Sequence, residues 1–187
     1  MTDASIRTRA RLAGIFWLMT IFSGMAAMFA GGRAGTAANL LATAFYLGAT
    51  LLVYQLLRPV NPGLSLLAAV FSLVGCVLSI LRAFGLGPSG VNPLVFFGLH
   101  CVLAGFLIFR SGFLPQLVGA LLALGGLGWL TFLSPPLAAS LSPYVILPGL
   151  VGEGALSLWL IARGVDVRRW NERASKRVAA TPGIAAP

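Results

Sequence analysis

Six long apolar runs, separated by short polar turns, make up most of this chain. They cover residues 12–31, 37–57, 64–86, 93–109, 114–134 and 143–162. Each run is close to the ~20 residues that an α-helix needs to cross about 30 Å of hydrocarbon. The turns contain proline and glycine and are short, so neighbouring helices should pack as antiparallel hairpins. The pattern predicts an all-α, polytopic transmembrane bundle of six helices.

The basic residues predict the orientation of this bundle. With both termini cytoplasmic, eleven of the 13 Lys and Arg residues fall on the inner side, as the positive-inside rule requires. Three regions follow: a cytoplasmic N-terminal segment (1–11), the six-helix transmembrane domain (12–163) and a basic juxtamembrane tail (164–187) with a disordered end. The first run is too long for a signal-peptide core, which favours an uncleaved anchor. The tail, with Trp170, is expected to lie along the anionic inner leaflet or only to maintain topology.

Composition supports a membrane protein and narrows its chemistry. Of the 187 residues 58% are hydrophobic and 9% are charged, whereas soluble domains have roughly 25% charged residues. Topology accounts for the net charge of +9, so no nucleic-acid partner is expected. Cys76 and Cys101 fall inside apolar runs and predict no disulfide framework. One histidine excludes bis-histidine haem and multi-histidine zinc sites, and we expect no metal and no cofactor.

The last run carries an acidic residue, Glu153. A carboxylate at the bilayer centre costs ~2.5–3.5 kcal/mol on insertion scales, so it should face a partner or a wet interior rather than lipid. Gly152 and Gly154 flank it and allow another group to approach closely. Pro148 predicts a kink one turn before the acid. The simpler alternative is that Glu153 bonds a neighbouring helix and only supports packing.

Polar residues recur at helical spacing in two other runs. The second run has one polar stripe, made of Asn39, Thr43, Tyr46, Thr50 and Tyr54. The third run has another, made of Ser72, Gly75, Ser79 and Arg82. Spacings of three and four residues place each set on one helix face. The fifth run has small residues at Gly119, Ala123 and Gly126 but no ionisable group, and is interpreted as a packing helix.

Estimated depths place the rare ionisable groups in the same half of the bundle. At ~1.5 Å per residue, Arg82, His100 and Glu153 can meet near the outer side. We predict a polar pocket, open outward, bounded by Tyr46 and these three residues. Its further candidate lining residues are Asn39, Thr43 and Ser79. Glu153 would stay ionised if paired with Arg82 and would be neutral if alone; Arg82 could instead extend to the headgroups, and His100 could be a packing residue.

Several local motifs resemble a known family. They are Phe97-Gly98-Leu99-His100, the turn Ile108-Phe109-Arg110-Ser111-Gly112-Phe113-Leu114-Pro115, Leu56-Leu57-Arg58-Pro59-Val60-Asn61, and the Pro148–Glu153 stretch. In these motifs the chain resembles the small multi-pass membrane proteins of the DUF4386 type, a domain of unknown function. The resemblance implies a multi-pass protein of the bacterial cytoplasmic membrane, with His100 and Glu153 at family-typical places. It implies no activity.

Three functions remain open from the sequence. The first is a pocket that binds or transports a small polar molecule, an ion or a proton. The second is an intramembrane enzyme that uses Glu153 and His100 as acid and base or as metal ligands, although no third ligand and no catalytic residue can be named. The third is an accessory or sensor subunit without transport activity. The expected partners are the lipid bilayer and a small-molecule or ion ligand, and a homo-oligomer is left open.

Overall fold

The computed structural model describes residues 3–179, and within them it contains helices and turns but no strand. Six helices are long and apolar enough to span a membrane. The eight α-helices in chain order are α1 (Asp3–Ala30), α2 (Gly32–Leu57), α3 (Pro62–Ala83), α4 (Pro93–Ser111), α5 (Gln116–Leu130), α6 (Pro135–Ser140), α7 (Leu147–Ala162) and α8 (Val167–Ala179). The predicted six-helix transmembrane bundle is confirmed, while the cytoplasmic position of the termini stays a prediction.

The turns between the spans follow local sequence rules. Asn61 and Asn92 each precede a proline, and their side chains accept hydrogen bonds of 3.0 Å from the backbone of Leu64 and Leu94. An asparagine cap followed by proline is a strong helix start, because both leave fewer backbone N–H groups without a partner. At the end of α4, Gly112 has φ of 76°, a left-handed conformation that glycine adopts without strain.

The six spans form a closed ring in chain order. Helices α1 to α5 each pack on the next helix in the chain, except that α5 packs on α7 because α6 is only a short helix. Helix α7 then packs on α1 and closes the ring. Many large apolar side chains point outward, as expected where the surroundings are lipid tails; Phe29 and Val77 are examples. Polar side chains of several helices therefore share the middle of the ring.

Glycines bring α4 and α5 unusually close together. A Cβ added to Gly105 would lie 2.6 Å from the carbonyl oxygen of Gly119, and one added to Gly98 would lie 2.8 Å from that of Gly126. Small residues at helix contacts let backbones approach, which is the main source of packing between helices in lipid. The small face of α5 is thus used for packing inside the ring.

The predicted kink at Pro148 is wrong. Helix α7 begins at Leu147, after a 3₁₀ turn over Tyr144–Ile146. Pro148 therefore lies in the first turn of a new helix, where its missing N–H removes no helical hydrogen bond. Glu153 is the seventh residue of α7.

Helix α8 folds back against the bundle. The indole Nε1 of Trp170 donates to the Leu56 carbonyl (2.9 Å), and Asn171 Nδ2 donates to Asp3 Oδ1 (2.9 Å). Trp170 is buried against protein, so its indole is not available to a membrane surface, while the position of the tail along the inner leaflet stays a prediction. We call this end of the bundle the α8 end. The predicted disorder at 180–187 lies outside the described residues.

Candidate functional site

The site is built around the inward face of α7. Its buried residues recur at helical spacing and are Gly149, Gly152, Glu153, Leu156, Ser157 and Leu160. Glu153 is 7% exposed. Because α7 closes the ring between α5 and α1, this carboxyl faces the helices on both sides.

Two tryptophans hold the Glu153 carboxyl. Trp17 Nε1 of α1 donates to Oε2 (3.0 Å), and Trp129 Nε1 of α5 donates to Oε1 (2.7 Å). An indole N–H is a donor only, so each carboxyl oxygen is used as an acceptor. These two bonds join α7 to both of its neighbours through one side chain.

Glycines on α7 make room for this arrangement. A Cβ added to Gly149 would overlap the Trp129 indole, and one added to Gly152 would overlap the Leu121 carbonyl. The Gly154 position, in contrast, opens onto free space. Only a residue without a side chain at 149 lets Trp129 reach across to Glu153.

A thiol and a phenol continue the polar contacts toward α2 and α4. Cys101 Sγ lies 3.8 Å from Glu153 Oε1 and 3.8 Å from the Tyr46 hydroxyl. A thiol can donate or accept weakly. Cys101 can therefore donate to an ionised Glu153, or accept from a protonated one, without moving.

His100 lies beside this group and is almost completely buried. Its Nδ1 is 2.8 Å from the Ala68 carbonyl of α3, and a carbonyl can only accept, so Nδ1 donates. Its ring centroid is 5.7 Å from that of Trp17 and 5.8 Å from that of Tyr46. Among the described residues, His100 Nε2 is a buried side-chain nitrogen without a hydrogen-bond partner.

All six spans thus contribute to one group of side chains and backbone. We call it the Glu153 cluster; its side chains are those of Trp17, Tyr46, His100, Cys101, Trp129 and Glu153, and α3 contributes the Ala68 carbonyl. The structure brings three of the sequence-predicted residues together here: Tyr46, His100 and Glu153.

Arg82 is not part of the cluster, so of the two possibilities left open for it, the pairing with Glu153 is not the one that the structure has. Helix α3 ends at Ala83, earlier than the apolar run suggested, and this places Arg82 at the exposed helix end. Its guanidinium donates to the Val91 carbonyl in the following loop (3.4 Å). Neither of the two ion pairs in the described chain involves Glu153.

The remaining candidates, Asn39, Thr43 and Ser79, lie on α2 and α3 and are not part of the Glu153 cluster. The Thr43 hydroxyl donates to the Asn39 carbonyl (2.8 Å), an ordinary bond within a helix. Asn39 is half-buried and Ser79 is buried. The two polar stripes do face each other, since the Thr50 and Ser72 hydroxyls are 2.5 Å apart.

The cluster is tightly packed rather than open. Beside His100, a narrow void between α2, α3 and α4 is too tight to hold a water molecule. The carboxyl oxygens of Glu153 are covered by the two indoles and Cys101. The predicted outward-open pocket bounded by Arg82 is therefore absent from the described arrangement of these residues.

Sequence reasoning missed the two tryptophans. Neither Trp17 nor Trp129 is among the candidate residues that the sequence predicts. A usable signal existed, because tryptophan favours the membrane–water interface, whereas a buried indole N–H needs an acceptor. Trp17 lies in the middle of α1. The acidic side chain within the apolar runs that can accept its hydrogen bond is that of Glu153.

Comparisons with known proteins agree with the sequence motifs. A family model described as "Domain of unknown function (DUF4386)" matches residues 91–164, which hold His100, Cys101, Trp129 and Glu153. An "Uncharacterized protein" of the archaeon Archaeoglobus fulgidus is 30% identical over 121 residues, covering 60% of this chain and 72% of the relative. No solved structure matches. The chain is a multi-pass membrane protein that belongs to the DUF4386 family, whose function is unknown.

Proposed function

We propose that this protein is a proton-dependent membrane transport protein, and that the Glu153 cluster is its proton-binding site. We place it in the bacterial cytoplasmic membrane with both termini inside. One observation carries the proposal: His100 Nε2 is buried without a partner in the same cluster as the Glu153 carboxyl. Ionisable groups inside spans are rare and commonly mark proton relays and ion pathways.

The size of the site supports a proton as the bound species. The void beside His100 admits no water, so a larger solute would need the helices to separate. A proton needs no such space, and His100 Nε2 and the Glu153 carboxyl can each accept one. The Cys101 thiol can donate a weak hydrogen bond to Glu153 when the carboxyl is ionised and accept one when it is protonated.

Proton binding would also act on the ring itself. Both indole bonds end on Glu153, and hydrogen bonds to a charged acceptor are stronger than those to a neutral one. Protonation of Glu153 therefore weakens the contacts of α7 with α1 and α5 together. Loosening α7 would open a route to the cluster for a small polar solute or for the proton alone.

The indoles themselves provide the first test. In a Trp159→Phe background, tryptophan emission of the protein in lipid nanodiscs should change with pH in the range of about 4 to 9 that covers carboxyl, imidazole and thiol groups. The change should disappear in Glu153→Gln and should alter its midpoint in His100→Asn. Glu172→Gln, which removes an exposed acid on α8, is the matched control and should titrate as the parent does.

Proton flux into liposomes gives the second test. Vesicles that contain the parent protein and an internal pH dye should acidify faster under an imposed gradient than vesicles with Glu153→Gln. Equal rates for the two proteins would reject transport.

The alternative function, a subunit in which the cluster only fixes helix positions, is favoured by the tight packing. It predicts emission independent of pH and no flux, together with lower stability for both variants.

A further inference from the structure

A charged groove lies at the α8 end, away from the Glu153 cluster. It has a volume of about 940 Å³ and runs between the first turns of α1 and the corner where α7 meets α8. Its basic lining residues are Arg7, Arg11, Arg163, Arg168 and Lys176. Its acidic lining residues are Asp3, Asp166 and Glu172.

The acids of this groove already have partners. Asp166 pairs with Arg169 at 3.4 Å, and Glu172 lies 3.9 Å from Arg168. Asp3 accepts a hydrogen bond from Asn171. Asp166 and Glu172 are therefore each paired with an arginine, and Asp3 accepts from a neutral amide.

Three arginines of the groove have no such partner. Within the described chain, the side chains of Arg7, Arg11 and Arg163 make no ion pair or hydrogen bond. Arg9, on another face of α1, behaves differently because it bonds Gln55. Arg7 and Arg11 are four residues apart and so lie on one face of α1, toward α7 and Arg163.

The level of these arginines matches that of lipid phosphates. Arg11 directly precedes the apolar run of α1, and Arg163 directly follows Ala162, the last residue of α7. The headgroup layer is about 5–8 Å thick on each side of the hydrocarbon. Arg7 and Arg11 are about 6 Å apart along the helix axis, so they span this layer.

We propose that the groove binds the phosphate headgroup of an anionic phospholipid. Arg7, Arg11 and Arg163 contact the phosphate, since guanidinium groups bind it in a bidentate manner, and Lys176 on α8 adds charge at the rim. Basic pockets between spans on the positive side are a recognised mode of anionic lipid binding. The site does not depend on the function proposed for Glu153.

Native mass spectrometry of the full chain tests this site. The protein in detergent is titrated with phosphatidylglycerol and with phosphatidylcholine of the same acyl chains. Wild type should retain phosphatidylglycerol preferentially. The triple variant Arg7→Gln, Arg11→Gln, Arg163→Gln should bind it on the order of a hundredfold more weakly.

A control variant with the same loss of charge distinguishes lipid binding in the groove from general electrostatic attraction between the protein and the anionic lipid. Arg33→Gln, Arg82→Gln, Arg110→Gln removes three arginines that do not line the groove and should bind the lipid as wild type does. Equal binding by wild type and the groove variant would overturn the proposal, as would equal weakening in the control. Displacement of the lipid by the same concentration of inorganic phosphate would assign the groove to a soluble anion instead.

Salt dependence gives a readout that needs no variant. Retention of phosphatidylglycerol by wild type should fall as sodium chloride is raised, because exposed charges are screened. Retention that does not change with salt would also overturn the proposal.

Discussion

Trp129 Nε1 lies 2.7 Å from Glu153 Oε1, and this bond joins α5 to α7 inside the ring. The same carboxyl accepts a second bond from Trp17 on α1. One acidic side chain therefore connects three helices that are far apart in the sequence. Substitutions at this point should affect the contacts of α7 as a whole.

Trp129→Phe should destabilise the protein by about 1 kcal/mol, since hydrogen bonds between spans contribute ~0.6 and up to ~1.7 kcal/mol. The phenyl ring keeps most of the packing but donates no hydrogen bond. Reversible unfolding in mixed micelles measures the change. Trp159→Phe, at a lipid-facing position that is 36% exposed, is the control and should leave the unfolding free energy unchanged. Equal effects of the two substitutions would show that the bond adds nothing.

Gly149→Ala should lower stability by about 1–3 kcal/mol through overpacking. The added methyl overlaps the Trp129 indole and pushes it away from Glu153. The emission of Trp129 should therefore change as well as the unfolding midpoint. Gly154→Ala places the same methyl in open space and should be neutral or slightly stabilising, because alanine favours the helix. Similar losses in both variants would contradict the assigned packing.

The hydroxyl pair of Thr50 and Ser72 should couple α2 to α3. A double-mutant cycle with Thr50→Val and Ser72→Ala should give an interaction free energy of about 0.5–1 kcal/mol. The pair Thr43→Val and Ser72→Ala is a suitable control, since Thr43 bonds the backbone of its own helix. Its two effects should add. Additive effects for Thr50 and Ser72 would contradict a direct bond.

Trp170→Phe should release α8 from the bundle. The indole loses its bond to the Leu56 carbonyl, one of the contacts that hold α8 in place. Trypsin should then cleave within residues 168–177 several times faster than in the parent. Trp159→Phe is the control and should be cleaved at the parent rate. An unchanged rate in Trp170→Phe would contradict the prediction, because it would mean that the remaining contacts hold α8 on the bundle.

The six spans could be predicted because each depends on local properties of the chain. Hydrophobic length sets a span, and Asn61 and Asn92 before proline set two helix starts. The break before Pro148 could not be predicted, because a proline within an apolar run fits both a kinked helix and the first turn of a new one. Which occurs depends on the turn at Tyr144–Ile146, which contacts α5 and α7.

The candidate site was predicted only in part. Periodicity placed Tyr46 on the polar face of its helix, and estimated depth together with the rarity of ionisable groups in the spans grouped His100 and Glu153. The misplacement of Arg82 came from the end of α3, which is the least certain feature of any helix prediction. The indole partners depend on which helices are neighbours. Only closure of the ring brings α1 and α5 to opposite sides of α7.

The closed ring also has a consequence for biogenesis. Ribosomes make α7 after the five other spans, so the indoles of Trp17 and Trp129 enter the membrane before their shared acceptor exists. Until α7 inserts, both N–H groups lack Glu153, and the five-span intermediate has an open seam along its side. Insertion of the last span closes that seam and gives both donors their acceptor in a single step. A chain truncated before residue 147 therefore keeps the sides of α1 and α5 exposed, and quality-control proteases can recognise them.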